Sequence, residues 1–408
     1  TPVNLSKQTP NNSQENTIST KPLISKHTNK TSKQREDKQN NISDNIFLDK
    51  TIIALFANDD DPSVTSQFIN TFELGIYNLG VKDINLQIEF FETHKDLKKI
   101  IESNISSGKI FIGPTQSKYS KILNDYCDYE VIFFSFSSKR SLAKDCIYLL
   151  NFFPKNELSE LFLYLNEGAK VALLYPENEY GYLINSFIDE IIFESQAILV
   201  NRSSYKDDLS NVRDAIKELG KYELRKYELN RQKQILSSKK DEKSKKRLKK
   251  LERFKTTSDY DFTHILIADY GLNLLQVAPL LPYYDIDPNI VQFMGTGVID
   301  DKTFFYEPSL QGAIFPGVPE SRRIDLINNY KEIYEEEFLR TSTLPYDLIG
   351  LINFIYKKEY KLKDVINLLN NSNKRFDGID GNFYFKKNMI ERDLDILKIN
   401  NGDSFIIN

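Results

Sequence analysis

Residues 109–138 read KIFIGPTQSKYSKILNDYCDYEVIFFSFSS, and two short apolar runs within them, 110–112 and 131–134, set the pattern for the rest of the chain. Each run is rich in β-branched or aromatic residues and is followed at once by Gly, Pro, Thr or Ser, with a segment of helical periodicity between the two. That order is strand, polar turn, helix, strand, polar turn. In a parallel sheet the turns after successive strands leave the same edge. Thr115, Gln116 and Ser117 are therefore expected beside Ser135, Ser137 and Ser138, lining one crevice with hydroxyls and free backbone N–H groups. The plainer reading of the same residues is helix N-capping, for which Ser and Thr are favoured with no ligand at all.

The same unit recurs on both sides of this stretch. Upstream, residues 51–56 (TIIALF) read as a buried strand ending in a polar turn, 63–79 as a helix closed by Gly80, 84–91 as a strand and 94–106 as a helix. Downstream, 147–153 is a strand ended by Pro154, after which the pattern restarts with strands at 169–175, 198–203, 263–268, 291–294 and 312–315 separated by helical segments. Helices at 324–339 and 346–356 precede a β-rich tail, 381–407. Repeated β-α units of this kind predict an α/β protein with two doubly wound parallel-sheet lobes. The pattern breaks near 153–154, 315–319 and 372–376, which predicts a hinge of three crossings. The expected division is lobe I from 47–153 and 318–372, and lobe II from 154–317 and 373–408.

Composition narrows the function. The chain of 408 residues is 40% hydrophobic and 27% charged, enough for two cores. No run of 18 apolar residues occurs, so no transmembrane helix is expected, and an export signal is either absent or already removed. Cys127 and Cys146 lack metal-ligand spacing, and whether they pair is left open. His27, His94 and His264 are scattered, which argues against a zinc site or a serine-histidine triad, and no cofactor is expected. A hydrolase of the α/β type is disfavoured because no G-x-S-x-G is present.

Charge is unevenly placed. Residues 221–255 hold fifteen Lys/Arg against five Asp/Glu, and residues 1–46 hold seven against four, so a total of −4 leaves −17 on the remainder. An acidic body argues against nucleic acid as the main ligand. Residues 1–46 are polar and aperiodic, as expected of a disordered tether. Residues 221–257 are rich in helix formers without a wide apolar face, and they are expected to form a charged helical insertion in lobe II turning near Ser237 and Ser238.

Several stretches resemble one family: IGPTQS (112–117), IFFSFSS (132–138), YPENEYGYLINSFIDE (175–190), SYKDDLSNVRDAIKEL (204–219), PYDLIGL (345–351) and the closing FDGIDGNFYFKKNMIERDLDILKINNGD (376–403). From residue 45 onward the chain resembles the type I periplasmic binding superfamily of leucine/isoleucine/valine-binding proteins. LLPYYDIDPNIVQFMGTGVIDD (280–301), EPSLQGAIFPGVP (307–319) and the charged insertion look most like its penicillin-binding protein activator branch. The resemblance implies a non-enzymatic periplasmic protein, tethered to the membrane only through its N-terminal segment, with either a cell-wall synthase or an ABC permease as partner. It also implies an inter-lobe site for a small amino-acid-like ligand, made by Thr115, Gln116, Ser117, Ser135, Ser137, Tyr180, Asp269, Tyr270 and Thr296. Hydroxyls and helix N-termini suit a carboxylate, and Asp269 suits an ammonium. Tyr180 as inter-lobe packing and Asp269 as an N-cap are the plainer alternatives. Asp59, Asp60 and Asp61, three carboxylates in the first turn, depart from the family's pattern.

Overall fold

The computed structural model describes residues 45–407 other than Asp83. The expected tether lies outside them except for its last two residues. The described chain forms two seven-stranded sheets with helices on their faces. Strands β1 (Thr51–Ala57), β2 (Asn85–Phe91), β3 (Ile110–Ile112), β4 (Ile132–Ser135) and β5 (Ile147–Leu149) build the first sheet, all in parallel. Strands β6 (Lys170–Pro176), β7 (Ile198–Tyr205), β8 (His264–Ile267), β9 (Gln292–Met294) and β10 (Ile314–Gly317) build the second in the same way. Both sheets run in the spatial order second, first, third, fourth, fifth strand. This arrangement places a topological switch point beside the first strand of each lobe, where crevices open at the carboxyl ends.

The strands that sit in the sheet centres are apolar on both faces, as buried parallel strands must be. Residues 52–56 and 110–112 are essentially inaccessible, and Phe111 stacks on Phe133 across β3 and β4 with ring centroids 4.9 Å apart. Helix α1 (Pro62–Asn78) starts on an Asp61 side chain that accepts from the N–H groups of Ser63 and Val64 and has Pro at its first turn. Helix α2 (His94–Asn104) opens with a Thr93/Asp96 capping box. The expected helix between β3 and β4 is only one turn, α3 (Ser117–Ser120), and continues as a 3₁₀ stretch, Lys121–Tyr129. Asn124, Asp125 and Asp128 are weak helix formers. Cys127 is also tied by a disulfide to Cys146 at the entry of β5, with Cα atoms 5.3 Å apart. That pairing answers the question left open by the sequence.

The C-terminal boundary needs correction. The hairpin β11 (Phe383–Lys386) and β12 (Met389–Arg392), expected in lobe II from residue 373 onward, extends the first sheet instead: β12 pairs with β5 and Leu149 N–H donates to Asn388 O at 2.8 Å. Only β13 (Asp395–Asn400) and β14 (Asp403–Ile406) join the second sheet, beside β10. The third crossing therefore falls at Asp393–Leu394. A hairpin turning at Lys387 and Asn388, both in the left-handed region, is local; the sheet edge that receives it is set by packing against β5.

Lobe II also carries the basic insertion, an antiparallel pair α7 (Tyr222–Ser237) and α8 (Glu242–Leu251), counting helices α4 (Pro154–Tyr164), α5 (Glu179–Ile191) and α6 (Val212–Leu219) before it. It turns at residues 238–241, slightly later than expected. Its root is not solvent-exposed: Arg225 is buried and donates to the carbonyls of Gly220 (2.6 Å), Thr257 (2.8 Å), Asp285 (3.1 Å) and Tyr284 (3.2 Å) and to Thr256 Oγ1 (2.9 Å). Its guanidinium also lies over the Tyr260 ring, and Leu229 is buried beneath the same root. The helical pair thus stands on a polar anchor that closes a helix end and two loops. Arg225→Ala leaves several buried carbonyls unpaired, so chemical denaturation is expected to show a loss of about 3 kcal/mol or more. Replacing residues 232–252 with a short Gly-Ser turn is expected to change stability by about 1 kcal/mol or less.

Candidate functional site

In lobe I every expected residue lies at the carboxyl edge of the sheet, and the side chains have turned toward one another. The switch point between β1 and β3 is filled by the first turn. Asp60 Oδ2 accepts from Ala57 N–H at 2.9 Å, while its Oδ1 accepts from the Thr115 hydroxyl and from Gln116 Nε2 at 2.9 Å. Gln116 Nε2 also reaches Asp59, whose carboxylate pairs with Lys118 and accepts from the Tyr119 hydroxyl at 3.2 Å. Hydrogen bonding from Lys118 is the largest influence on Asp59 and holds it below the usual carboxylate range. With Asp61 capping α1, the three carboxylates that departed from the family pattern are structural acceptors. Ser117 and Ser137 share a hydrogen bond at 2.7 Å, Ser120 and Ser135 another at 2.9 Å, and Ser135 Oγ is also within 2.9 Å of Pro114 O.

Lobe II behaves similarly. The Tyr180 hydroxyl and Thr296 Oγ1 are 2.6 Å apart, and the Tyr180 ring meets Tyr270 edge-on at 5.1 Å. Asp269 is buried; it accepts from the Tyr205 hydroxyl and from Tyr270 N–H at 2.8 Å. Burial raises its pKa against the pull of the Tyr205 hydrogen bond, and both of its oxygens accept from groups of its own lobe. Tyr270 is the half-exposed member of the set. Among the described residues no hydrogen bond joins the lobe I group to the lobe II group. An inter-lobe contact exists beside them, with the Arg140 guanidinium 5.1 Å from the Phe187 ring centroid on α5.

What sequence reasoning missed lies behind these turns, where the chain crosses between lobes. Asp300, just after β9, accepts from Arg323 at 2.6 Å and from Arg340 at 3.0 Å. Asp380 accepts from Arg323 at 3.0 Å and stands 3.5 Å from Arg340. Both carboxylates are buried, with side-chain exposures of 3% and 0%. Arg323 follows β10 at the second crossing and also donates to Val318 O, while Arg340 donates to Gly297 O at 3.1 Å. Gly297 N–H in turn donates to Glu157, at the start of α4, at 2.8 Å. A side chain at position 297 would meet that carboxylate at 2.5 Å, so any larger residue here displaces Glu157. Arg392 ends β12 at the third crossing, and its guanidinium and that of Arg340 both lie over Phe152 of the first crossing, at 4.7 and 4.8 Å. The cluster joins residues tens of positions apart, so no local pattern reveals it.

Burial is the largest influence on Asp380, Glu157 and Asp347, and of these three only Asp380 has partners that outweigh it. Burial disfavours the Asp380 carboxylate, yet Arg340 and Arg323 hold it below its usual value. Burial raises Glu157 against the pull of Arg340 and the Gly297 N–H. Asp347, whose Oδ1 accepts from Ile379 N–H at 2.6 Å while Oδ2 has no partner, is pushed up to about 7 by burial. Phe152, Arg340, Arg392, Glu157 and Asn156 line a recess of about 10 Å³, the room a single water needs. Among the described residues no group of His, Cys, Asp and Glu is arranged to hold a metal.

Two α/β lobes of identical strand order, joined by three crossings and each completed by strands from the C-terminal tail, make this a type I periplasmic binding fold. The solved structures it resembles include a Rhodospirillum rubrum protein described as a branched-chain amino acid ABC transporter, with a TM-score of 0.67, 12% identity, and 88% of this chain and 100% of that one covered. The Streptococcus pneumoniae branched-chain amino acid substrate-binding protein LivJ, solved with isoleucine, has a TM-score of 0.55 and 13% identity over 88% of this chain and 99% of its own. Full-length LpoA from Haemophilus influenzae has a TM-score of 0.59 and 12% identity over 89% of this chain and 60% of its own. No protein-family model matches the sequence, and no curated protein does.

Two outcomes test the cluster. Asp300→Ala strips both arginines of a shared carboxylate and is expected to lower stability by about 3–5 kcal/mol, measured as a shift in the urea midpoint. Asp347 titrates near 7 when folded and near its ordinary value, 3.8, when unfolded, so folding binds a proton between those values. Its contribution is full below the lower value and is lost as pH rises through 7. Asp347→Asn keeps the acceptor for Ile379 and is expected to raise stability at pH 8 by up to about 4 kcal/mol, with the gain vanishing near pH 4.

Proposed function

We propose that this chain is an exported, non-enzymatic docking protein, a regulator of peptidoglycan synthesis of the penicillin-binding protein activator type with a cell-wall synthase as partner. One observation carries this reading: the hydroxyls, the Gln116 amide and the Asp269 carboxylate at the carboxyl edges of the two sheets are already satisfied within their own lobes. A receptor for a free amino acid needs an unpaired carboxylate for the ammonium and unpaired donors for the carboxylate, because those polar groups fix a small ligand's orientation. Here such groups would have to leave existing partners first. The Cys127–Cys146 disulfide supports an oxidising compartment outside the cytosol, and the likeness to LpoA supports the regulatory class. Among the described residues no helix is long and apolar enough to cross a membrane.

The second reading, a substrate-binding protein that delivers an amino acid to an ABC permease, is favoured by Tyr180 and the half-exposed Tyr270, an aromatic wall at the mouth of lobe II. The likeness to LivJ supports it too. Titration calorimetry with each of the common amino acids separates the two. No heat is expected; a micromolar Kd, about −8 kcal/mol, would establish the transport reading.

A further inference from the structure

We propose that the outer face of the basic helical pair binds the surface of an anionic phospholipid bilayer. On α8 the covered side holds Ser244, Leu248 and Leu251, spaced four and three residues apart as one helical stripe. The opposite side carries Lys243, Lys246, Arg247, Lys249, Lys250 and Arg253, all of them exposed. The ion pairs of the arm are Lys221 with Asp261, Arg231 with Glu228 and Lys245 with Glu242, so among the described residues none of these six cations has an acidic partner. Asp241 is taken up as the N-cap of α8, accepting from Ser244 N–H at 2.9 Å.

Folding of the arm does not call for such a face. Lys249 and Lys250 in the last turn suit the helix dipole, but Lys243 stands in the first turn, where the dipole disfavours a cation. Lys243 and Arg247, and Lys246 and Lys250, are like charges four residues apart, a spacing that weakens a helix. A partner of opposite sign relieves both costs.

The chemistry favours a bilayer over a folded acidic protein or a nucleic acid. The outer side of a single helix is convex, which suits a plane of mobile headgroups better than a shaped site. Four of the six cations are lysines, hydrated point charges that need no bidentate geometry. Exposed aromatic rings accompany them: Phe254 follows Arg253, and Tyr283 has Lys255 Nζ 5.9 Å from its ring centroid. Such rings settle at the headgroup level of a membrane. The arm also supplies reach. Beyond its last buried residue, Leu229, α7 continues to Ser237, about 12 Å at 1.5 Å per residue, which exceeds the Debye length of about 8 Å at physiological salt. The tip cations Lys239, Lys240 and Lys243 therefore meet an anionic plane while repulsion from the acidic body is screened. This inference rests on the arm alone and stands whether the lobes serve docking or transport.

The test is flotation of the full chain with vesicles of phosphatidylcholine alone and of phosphatidylcholine mixed with phosphatidylglycerol. Binding is expected only to the mixed vesicles, and it is expected to weaken about tenfold or more between low salt and about 0.15 M. Replacing the six cations with Gln, a comparable helix former, is expected to lower affinity about a hundredfold or more with an unchanged Tm. Phe254→Ser is expected to weaken binding a few-fold and to leave its salt dependence unaltered, which separates a headgroup layer from a purely electrostatic contact. Should the glutamine variant fail to fold, the Gly-Ser replacement of residues 232–252 takes its place. Equal binding to neutral vesicles, no binding to the mixed ones, or full binding by the arm variants would overturn the proposal. Tighter binding to polyglutamate or duplex DNA than to the mixed vesicles, or arm-dependent self-association in their place, would overturn it equally.

Discussion

A buried carboxylate shared by two arginines is the constraint on which the arrangement of the lobes depends. Asp300 comes from the connection between β9 and β10 of the second sheet, whereas Arg323 and Arg340 come from segments that pack on the first lobe. Withdrawing these charges from water is expensive and is repaid only when each has more than one partner. Here Asp380 and the carbonyls of Val318 and Gly297 supply the additional bonds. An ionic network of this kind tolerates little displacement, because moving one lobe by an ångström or two would leave bare charges in a dry interior.

The same economy appears at the carboxyl edges. A switch point in an α/β sheet leaves a crevice because the flanking helices go opposite ways, and folds of this class commonly place ligands there. In lobe I the chain's own Asp60, Thr115 and Gln116 bond to one another at that edge, and in lobe II Asp269 bonds to Tyr205. A shared fold therefore says little about shared ligands. The basic helical pair shows a related division of labour, with a buried arginine fastening the root while Lys221, Arg231 and Lys245 make only exposed surface ion pairs.

The alternation of short apolar strands with helices, and the restart after Phe153, were enough to determine two α/β lobes, because a parallel strand buried on both faces must be continuously apolar and needs a crossover helix. The turns carrying Thr115, Ser135, Tyr180 and Asp269 were legible for the same reason, since strand ends are marked by Gly, Pro, Ser and Thr. What those side chains would bond to was not legible. Asp60 and Thr115 are 55 positions apart and Tyr205 and Asp269 are 64 apart, so their pairing depends on which strands become neighbours. The hairpin at 383–392 likewise declared itself as a hairpin, yet only packing beside β5 assigned it to the first sheet. The hinge cluster was the least visible of all. Each arginine and aspartate in it is locally an ordinary surface charge, and burial by tertiary structure alone makes Asp300, Asp380 and Arg392 consequential.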